Sequence, residues 1–573
     1  MKSFISFKDI FRPKLFETLR GYNKERLLQD ALAGWIVGVI AIPLAIAFGI
    51  ASGVGPAEGL ITAIIAGFII SAFGGSKVQI GGPTGAFIVI IYGIIQQHGL
   101  TGLLIATIMA GILLILMGVF KLGNIIKFVP YPVIVGFTAG IALTIFSTQM
   151  NDLFGMNIQD VPADFIDKWV CYAEHIKDIN WWAFAVGATS LAMLIFLPRL
   201  SKKLPASLVA IIVMTLITWL LRRYAGIDSI KTIGDLYTIP TGIPAPHLPS
   251  FALAEGETFW SLVKSLFPAA FTIALLGAIE SLLSAMVADG VIGDRHNSNT
   301  ELIAQGMANV VVPFFGGIPA TGAIARTMAN INNGGKTPVA GIVHALLLLA
   351  VLLFFGPLVA LIPMACLAGI LIMVSYNMSE FRSIMWLAKN PKSDFIVMLV
   401  TFILTVLFDL TIAIEVGLLL AIILFLKRTN ESTTVQSFTN ELDPTHNNDI
   451  QLHGQDLESL KIPLYTEVYE IDGPYFFGIA NKFDDISRRT HSGEQKVRII
   501  RMRKVSFIDS TGIHNLEQLH LRLQRDGIQL VLSGVNQKVF NTLDKAGLVN
   551  KIGRENVLSH INAALARAAE LVK

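Results

Sequence analysis

The most constraining feature of the sequence is a set of long stretches that contain no Asp, Glu, Lys or Arg. Two of them, residues 78–120 and 337–379, are 43 residues long each. Because one helix needs about 20 apolar residues to cross the hydrocarbon core, each of these stretches must fold back across the membrane. Shorter stretches of the same kind are 31–57, 59–76, 128–151, 179–198, 204–221 and 302–325. The chain is therefore predicted to be a polytopic α-helical membrane protein.

Charged residues are concentrated in the C-terminal quarter of the chain. Residues 1–428 hold 50 of the 85 charged side chains, and residues 429–573 hold the other 35. This contrast separates a membrane unit from a soluble one. The predicted divisions are an N-terminal segment (1–30), a transmembrane domain (31–428) with two repeats (about 31–250 and 258–428), a linker (429–462) and a soluble domain (463–573).

The composition argues against several classes of protein. Charged residues make up only 15% of the chain, whereas soluble domains carry about 25%. The net charge of +3 gives no basic field that would attract nucleic acid. The two cysteines, Cys171 and Cys366, are far apart and indicate neither a disulfide framework nor a zinc site. We expect no metal and no nucleic-acid partner, and the chain is not predicted to be an enzyme.

The distribution of lysine and arginine predicts the orientation in the membrane. Seven of these residues lie within residues 1–30, which places the N-terminus in the cytoplasm. The pattern predicts fourteen segments, and an even number returns the C-terminal domain to the cytoplasm. The expected location is the cell (cytoplasmic or inner) membrane, with the lipid bilayer as a partner and both termini cytoplasmic.

Two similar short sequences interrupt two of the predicted segments. The first is Phe73-Gly74-Gly75 followed by Thr84-Gly85-Ala86, and the second is Phe315-Gly316-Gly317 followed by Thr321-Gly322-Ala323. Each pattern predicts a helix that ends at the double glycine, a short extended stretch, and a new short helix, over about 84–97 and 321–332. The predicted orientation enters the first break from the cytoplasm and the second from outside. This arrangement is typical of inverted repeats with discontinuous helices.

The helix ends at these breaks are expected to favour the binding of an anion. The N-terminus of a helix carries about half a positive charge and N–H groups without intrahelical acceptors. Two such ends facing each other near the membrane midplane would form an anion site built from backbone. Thr84 and Thr321 are candidate N-caps, because a threonine hydroxyl can accept from an N–H group of the first turn. The alternative is that the glycines and prolines only kink packed helices.

Few ionisable residues lie within the predicted spans, and each is a functional candidate because charge is costly there. Glu280 lies in the middle of the eighth segment, with Ser284 one turn later on the same face. The carboxylate could exchange protons, bind Na⁺ together with the hydroxyl, or join helices structurally. Arg326 could add charge to the anion site or pair with Glu280. A solvated cytoplasmic loop is expected to hold Asp289, Asp294, Arg295 and Glu301.

The C-terminal domain alternates strands and helices and is predicted to be a small α/β domain. Strands are expected at 464–471, 474–478, 497–502 and 528–533, and helices at 481–489, 512–525, 536–546 and 555–571. Asp509-Ser510-Thr511-Gly512 follows a strand and opens a helix. A phosphate on Ser510 would be favoured by the helix dipole. The alternative is an ordinary N-cap.

These motifs together resemble the SulP (sulfate permease) anion transporters that carry a C-terminal STAS domain. Residues 42–49 read Ile-Pro-Leu-Ala-Ile-Ala-Phe-Gly and are similar to a motif of the family's first span, with Leu44 in place of the usual Gln. Residues 82–84 and 323–326 match the two half-helix starts, and 509–512 look like the STAS signature. The resemblance implies fourteen transmembrane segments in a 7+7 inverted repeat, core and gate domains, a cytoplasmic α/β STAS domain, and a dimer.

The resemblance and the mirrored breaks together predict the site. One central anion pocket is expected between the half-helix starts, with Leu44 and Phe48 as its apolar wall. The predicted substrate-binding residues are Leu44, Phe48, Pro83, Thr84, Gly85, Thr321, Gly322, Ala323, Ala325 and Arg326. Glu280 and Ser284 are the predicted ion-coupling residues, and Asp509 and Ser510 are the predicted regulatory ones.

Within the family, the sequence looks most similar to bacterial C4-dicarboxylate carriers, and residues 290–309 are also close to bicarbonate carriers. Sodium-coupled bicarbonate members carry Asp and Thr where this chain has Glu280 and Ser284, so the glutamate favours H⁺. We therefore expect a secondary transporter for proton-coupled uptake of C4-dicarboxylates of the succinate, fumarate or aspartate type.

Other functions fit the same residues. These are symport of bicarbonate or sulfate with H⁺ or Na⁺, a membrane-tethered STAS protein that senses anions, and a nucleobase carrier, against which the STAS domain argues. No cofactor is expected beyond co-transported H⁺ or Na⁺. The expected partners are the small anion, a second copy of the chain, and a cytoplasmic protein that binds the STAS domain.

Overall fold

A computed structural model describes residues 11–124, 129–159, 161–162, 164–200, 205–239, 242, 244–246, 259–389, 391–408, 410–438, 441–442, 460–478 and 495–573. The chain divides into two compact units, Met1–Ala421 and Ile422–Lys573. The described part of the first unit is almost wholly helical, and the second contains a five-stranded sheet. The predicted class, a helical membrane protein with a C-terminal α/β domain, is confirmed.

The helices of the first unit follow the apolar stretches of the sequence. The first eight are α1 (Lys14–Thr18), α2 (Lys24–Ala51), α3 (Pro56–Phe73), α4 (Ile88–Val119), α5 (Tyr131–Thr148), α6 (Met150–Phe154), α7 (Phe165–Glu174) and α8 (Trp181–Leu200). The others are α9 (Ala206–Ala225), α10 (Ile233–Leu236), α11 (Phe259–Ile292), α12 (Ser298–Val311), α13 (Ile324–Asn332), α14 (Val339–Phe354), α15 (Gly356–Val359), α16 (Met364–Met378), α17 (Phe381–Leu387) and α18 (Lys392–Leu407). A further helix, α19 (Leu410–Ser432), begins in the first unit and ends in the second. Two short strands, β1 (Gly81–Gly82) and β2 (Thr321–Gly322), lie between helices.

The number of segments is consistent with the fourteen predicted from the sequence. Helix α4 contains a break at Gly99, where φ is 65°, a conformation that glycine adopts at little cost. Counted as two, α4 makes fourteen segments together with α2, α3, α5, α8, α9, α11, α12, α13, α14, α16, α18 and α19. Within the described residues, eight helical stretches are long and apolar enough to cross a membrane by length and composition.

Helices from the two halves of the first unit pack in pairs. In the core group, which consists of α2–α4 and α11–α14, α4 lies against α12 and α2 lies against α14. In the gate group, which consists of α5, α8, α9, α16 and α18, α5 lies against α18 and α16 against α8. Glycine permits a close approach of α3 to α2, because a Cβ on Gly59 would lie 2.0 Å from the backbone O of Ala45. Both mirrored breaks belong to the core group.

The second unit is built on a sheet with strand order β3-β6-β7-β8-β9. Its strands are β3 (Thr434–Phe438), β6 (Thr466–Asp472), β7 (Val497–Arg501), β8 (Gln529–Ser533) and β9 (Val557–Leu558), and β4 (Glu441–Leu442) pairs separately with β5 (Leu460–Lys461). β3 is antiparallel to β6, and the other neighbours are parallel. The helices are α20 (Ser510–Arg525), α21 (Gln537–Lys545), α22 (Leu548–Ile552) and α23 (Ile561–Val572).

The edge of this sheet differs from the prediction. Part of the predicted linker forms the edge strand β3, and Val435 packs there against the apolar core of the sheet. The predicted strand at 474–478 is wrong, because Gly473 has a φ of 125° and turns the chain out of β6. Tyr475 then forms an isolated bridge with Ile508 and is not part of a strand.

Of the helices predicted for this unit, one begins later than predicted and one lies outside the described residues. The last helix begins at Ile561 and not at 555, because a 3₁₀ turn at Arg554–Asn556 and the strand β9 come first. The predicted helix at 481–489 lies outside the described residues.

Candidate functional site

The two breaks of the core group are joined by backbone hydrogen bonds. The chain leaves α3 at Gly74 in an extended conformation and reaches β1. β1 pairs antiparallel with β2, so that Gly82 lies opposite Thr321. The Ala323 N–H donates to Ile80 O at 2.9 Å and lengthens this pairing. Both helices are therefore interrupted, as the mirrored glycines predicted, and the two interruptions meet.

Of the two predicted N-caps, Thr84 has the predicted position but makes no capping hydrogen bond, and Thr321 is not an N-cap. A 3₁₀ turn, Gly85–Phe87, precedes α4, and the Thr84 side chain makes no capping hydrogen bond to it. Helix α13 begins at Ile324 with Ala323 as its N-cap residue, so Thr321 lies too early in the chain to cap it. The cause is the pairing of β1 with β2, which keeps Thr321 in a strand. Both threonine hydroxyls bind α11 instead.

One face of α11 contacts both breaks. The Thr84 hydroxyl donates to Glu280 Oε2 at 2.9 Å. The Thr321 hydroxyl donates to Gly277 O at 3.0 Å, and its oxygen lies 2.7 Å from Ser281 Oγ. Positions 277, 280, 281 and 284 share a helix face because they are three and four residues apart. Helix α11 thus positions the proposed coupling carboxylate beside the first half-helix start.

The second predicted coupling residue has a different position. The fully buried Ser284 hydroxyl donates to Thr327 Oγ1 of α13 at 3.2 Å. Thr327 Oγ1 in turn accepts from Ile80 N at 3.1 Å. Glu280 therefore faces the first break, whereas Ser284 is bound to the second half-helix.

Arg326 is buried behind the first break. Its side chain is 2% exposed, and its guanidinium donates to Gly81 O at 3.5 Å and to Pro83 O. The residue reaches from the second half-helix across to the backbone of the first. The carbonyl oxygens of Gly81 and Pro83 therefore hold its positive charge beside the first break.

The predicted apolar wall lies where the core group meets the gate group. A Cβ built on Gly85 would lie 3.6 Å from Phe48 Cε1 and 2.8 Å from Sδ of Met378, which belongs to α16. Phe48 is buried, and Leu44, one turn earlier on α2, is half-buried. Ala325 is exposed at the start of α13. Phe48 and Gly85 therefore lie together, next to a helix of the gate group.

The arrangement can bind an anion with backbone groups. In the first turn of α13, the N–H groups of Ile324, Ala325 and Arg326 have no intrahelical acceptor, and the dipole of each half-helix favours negative charge at its start. Thr84 and Glu280 are both half-buried, so they remain accessible beside the first start. The site thus combines two helix N-termini, a hydroxyl and one carboxylate.

Sequence reasoning missed several polar residues of this region. Glu301 was predicted in a solvated loop, but it is fully buried in the first turn of α12. Its Oε2 accepts from Gly75 N at 2.8 Å and Ser76 N at 3.2 Å. Ser281 and Thr327, described above, were also missed. The available signal was spacing, since Ser281 lies one turn after Gly277 within an apolar helix.

The predicted regulatory residues lie at the start of α20. Asp509 is the N-cap residue, and its Oδ1 accepts from Gly512 N at 2.8 Å while its Oδ2 accepts from Phe477 N at 3.1 Å. Ser510, the first residue of the helix, is exposed. Asp509 therefore provides the cap, and the Ser510 hydroxyl is accessible.

An apolar cavity of about 830 Å³ lies elsewhere in the first unit, between α2, α9 and α14. Trp35, Trp219 and Leu347 are among its lining residues, and none of the predicted site residues is. Because its lining offers hardly any polar group, this cavity is unsuited to an anion. Among the described residues, no group of three His, Cys, Asp or Glu side chains is placed to hold a metal ion.

Comparison with known families matches both units. Residues 27–401 match the family described as "Sulfate permease family", and residues 461–568 match the "STAS domain". The chain is 41% identical over 541 residues to the "Putative sulfate transporter YvdB" of Bacillus subtilis, covering 94% of this chain and 98% of that one. It is 30% identical over 472 residues to the "Bicarbonate transporter BicA" of Picosynechococcus, covering 79% of each chain.

Solved structures agree on the fold. The murine Slc26a9 anion transporter in the inward-facing state superposes with a TM-score of 0.85 at 19% identity, covering 99% of this chain and 96% of that one. The transmembrane domain of a cyanobacterium bicarbonate transporter BicA gives 0.61 at 29% identity, covering 70% of this chain and 98% of that one. The chain therefore belongs to the sulfate permease family and is a multi-pass membrane anion transporter with a C-terminal STAS domain.

Proposed function

We propose that the chain takes up small anions together with protons and that C4-dicarboxylates such as succinate, fumarate and aspartate are its substrates. The observation that carries this proposal is the hydrogen bond from Thr84 to Glu280 at the start of the first half-helix. It puts a carboxylate that can take up a proton directly beside backbone groups that favour an anion.

Proton and anion binding then depend on each other. A charged Glu280 occupies the positive end of the helix itself and repels a second anion, most strongly in a site of low dielectric. A neutral Glu280 leaves the N–H groups of the helix start to the substrate. Each ligand therefore raises the affinity for the other, and the two cross the membrane as one load.

In this mechanism the positive charge of Arg326 offsets negative charge that the proton does not neutralise. Its guanidinium is held by the carbonyls of Gly81 and Pro83 and does not leave with the substrate. A fixed cation behind the first break offsets part of the negative charge of the bound anion. The loaded core group then moves against the gate group along the contact at Phe48 and Gly85.

Bicarbonate or sulfate is the second candidate substrate. The relatives above are named as sulfate and bicarbonate transporters, and a site made of backbone dipoles does not by itself select one anion. Coupling to Na⁺ belongs to this candidate, with Glu280 and nearby hydroxyl oxygens as the cation ligands.

Further parts of the proposal concern the assembly. We place the protein in the cell membrane as a homodimer, with both termini in the cytoplasm, where lysine and arginine are enriched. We also propose that the STAS domain binds a cytoplasmic protein and that the exposed Ser510 is the residue through which phosphorylation would regulate it.

Uptake by purified protein in liposomes tests the proposal. Labelled succinate, bicarbonate and sulfate are each supplied outside, under either an acid-outside pH gradient or an inward Na⁺ gradient. We expect succinate to accumulate with the pH gradient and without Na⁺. Accumulation of only bicarbonate or sulfate would favour the second candidate. A requirement for Na⁺ would contradict proton coupling.

A further inference from the structure

The second break is held by the helix that precedes the first. Thr62 lies in the middle of α3 and is fully buried. Its Oγ1 donates to Glu58 O of its own helix at 2.6 Å and accepts from Ile318 N at 2.8 Å. The hydroxyl therefore satisfies a backbone N–H group in the extended stretch just after Gly317.

The first break is held in the same way by the helix that precedes the second. Glu301 of α12 accepts from the N–H groups of Gly75 and Ser76, as described above. The contact is tight, since a Cβ on Gly75 would lie 2.1 Å from the backbone O of Asn297 at the start of α12. Counted from the double glycines, Ser76 and Ile318 are equivalent positions. The first break is thus hydrogen-bonded to α12, which precedes the second break, and the second break is hydrogen-bonded to α3, which precedes the first.

Side chains along α12 connect the hydrogen bonds at the first break with the segment of the second break. Gln305 Nε2 donates to Glu301 Oε1 at 2.8 Å, and Asn309 Nδ2 donates to Gln305 O at 2.8 Å. Asn309 also donates to Ala320 O and accepts from Ala320 N, both at 2.8 Å. Asn309 therefore pairs with both backbone groups of the residue directly before Thr321. Glu301, Gln305 and Asn309 recur every four residues and so share one face of the helix.

We propose that Thr62, Glu301 and Asn309 are positioning residues that hold the two half-helix starts as one body during transport. We call these three residues, with Gln305, the cross-brace. The pairing of β1 with β2 joins the starts directly, and the cross-brace fixes the segments that lead into them. The anion site then keeps its geometry while the core group moves.

The cross-brace makes the two breaks interdependent. Removal of the Thr62 hydroxyl leaves the buried Ile318 N–H without an acceptor. A buried N–H group without an acceptor destabilises the folded segment. The segment 318–322 then opens more often, and its opening breaks the pairing of Thr321 with Gly82. The first break therefore loosens although Thr62 does not touch it.

Amide hydrogen exchange of the full-length protein tests this interdependence without any substrate. The variant is Thr62→Val, which keeps the shape of the side chain and removes the hydroxyl. The matched control is Thr107→Val, because Thr107 is equally buried and its hydroxyl donates only within its own helix, to Leu103 O at 2.7 Å. We expect exchange about tenfold faster at both 318–323 and 75–84 in Thr62→Val, and unchanged exchange in the control. Faster exchange confined to 318–323, or none, would overturn the proposal.

A second pair of variants serves if Thr62→Val does not fold. Glu301→Gln keeps an oxygen that accepts from the Gly75 and Ser76 N–H groups. Its amide N–H group can donate to Gln305 Oε1, which has no partner among the described residues. Glu301→Ala removes the acceptor. We expect faster exchange at both breaks only in Glu301→Ala. Equal exchange at the second break in both variants would contradict the cross-brace.

Transport gives a readout that a merely structural role would not move. With succinate as the probe, we expect Thr62→Val to raise KM about tenfold with kcat nearly unchanged, and Thr107→Val to alter neither. This arm rests on the proposed function. If the wild type moves none of succinate, bicarbonate and sulfate, the proposed function fails, and hydrogen exchange alone decides the cross-brace.

Discussion

Three carboxylates of the core group differ in the hydrogen-bond donors that surround them, and this difference supports the proposal that Glu280 is the coupling residue. Asp30 is fully buried and accepts from Lys336 N at 2.7 Å, from Thr337 N and Oγ1 at 3.1 and 2.6 Å, and from Tyr22 at 2.8 Å. Glu301 accepts two backbone N–H groups and one amide. Glu280 is half-buried, and Thr84 is the donor that the structure gives it. Asp30 and Glu301 thus each accept several hydrogen bonds, whereas the one given for Glu280 comes from Thr84, and for this reason we propose Glu280 as the carboxylate that exchanges a proton.

A pH effect on stability is expected at Asp235, outside the membrane-spanning segments. Partial burial alone would raise its pKa, but hydrogen bonds from Arg222 and Thr232 lower the pKa to about 2. Because the unfolded chain titrates near about 3.9, this stabilisation is complete above about pH 4 and is lost as the pH falls towards 2. Asp235→Asn should lower the free energy of unfolding at pH 7 by up to about 1 kcal/mol.

Thermal unfolding between pH 7 and pH 3 checks this prediction. The difference between Asp235→Asn and the wild type should shrink as the pH falls. The control is Asp228→Asn, because Asp228 is exposed in the same loop. A difference that stays constant over this range would contradict the assigned hydrogen bonds.

At the scale of the element, the sequence predicted the two breaks but not the hydrogen bonds that hold them in place. Paired glycines before Thr84 and Thr321 marked where helices end, because glycine is unfavourable within a helix. Thr321 was wrong as an N-cap because the pairing of β1 with β2 joins segments about 240 residues apart, which no local pattern reports. Thr84 has the N-cap position, but its hydroxyl donates to Glu280 on another helix. Glu301 was misread for a related reason. The residues just before it, 294–300, are all polar or charged, and the packing of α12 on the first break buries it.

A close approach of elements gives a prediction about Gly59. A Cβ there would lie 2.0 Å from the backbone O of Ala45, so α3 and α2 must move apart in Gly59→Ala. We expect this variant to lose roughly 1–3 kcal/mol of stability. Gly93→Ala is the control, because Gly93 is also helical and nothing lies within 4 Å of its Cβ position. Equal melting temperatures for the two variants would contradict the packing of these helices.

At the scale of the whole molecule, the sequence predicted the fold class because charge separates the units so clearly. Apolar stretches marked the helices, and alternating patterns marked most strands of the C-terminal sheet. The edge strand β3 was missed because residues 434–438 are polar except for Val435 and Phe438, which resembles a linker. An edge strand needs few apolar residues when one face alone is covered.

The division into units predicts the effect of truncation. Removal of residues 430–573 should leave anion binding intact, because every predicted substrate-binding residue lies in the first unit. It should change the transport rate or the stability. Binding of labelled succinate to the truncated protein, with its melting temperature as a test of folding, checks this. Loss of binding in folded protein would contradict it.

We propose that Glu280 couples the movement of protons to that of the anion, and uptake driven by a pH gradient measures this coupling. Wild type and Glu280→Gln are reconstituted in liposomes, and labelled succinate is supplied outside at low pH with neutral buffer inside. Glutamine mimics the protonated side chain in shape and charge. The wild type should accumulate succinate above the outside concentration. Glu280→Gln should still bind and exchange succinate at equal pH but should only equilibrate it under the gradient. If Glu280→Gln concentrates succinate with protons alone, the coupling group lies elsewhere and the proposed role of Glu280 is contradicted.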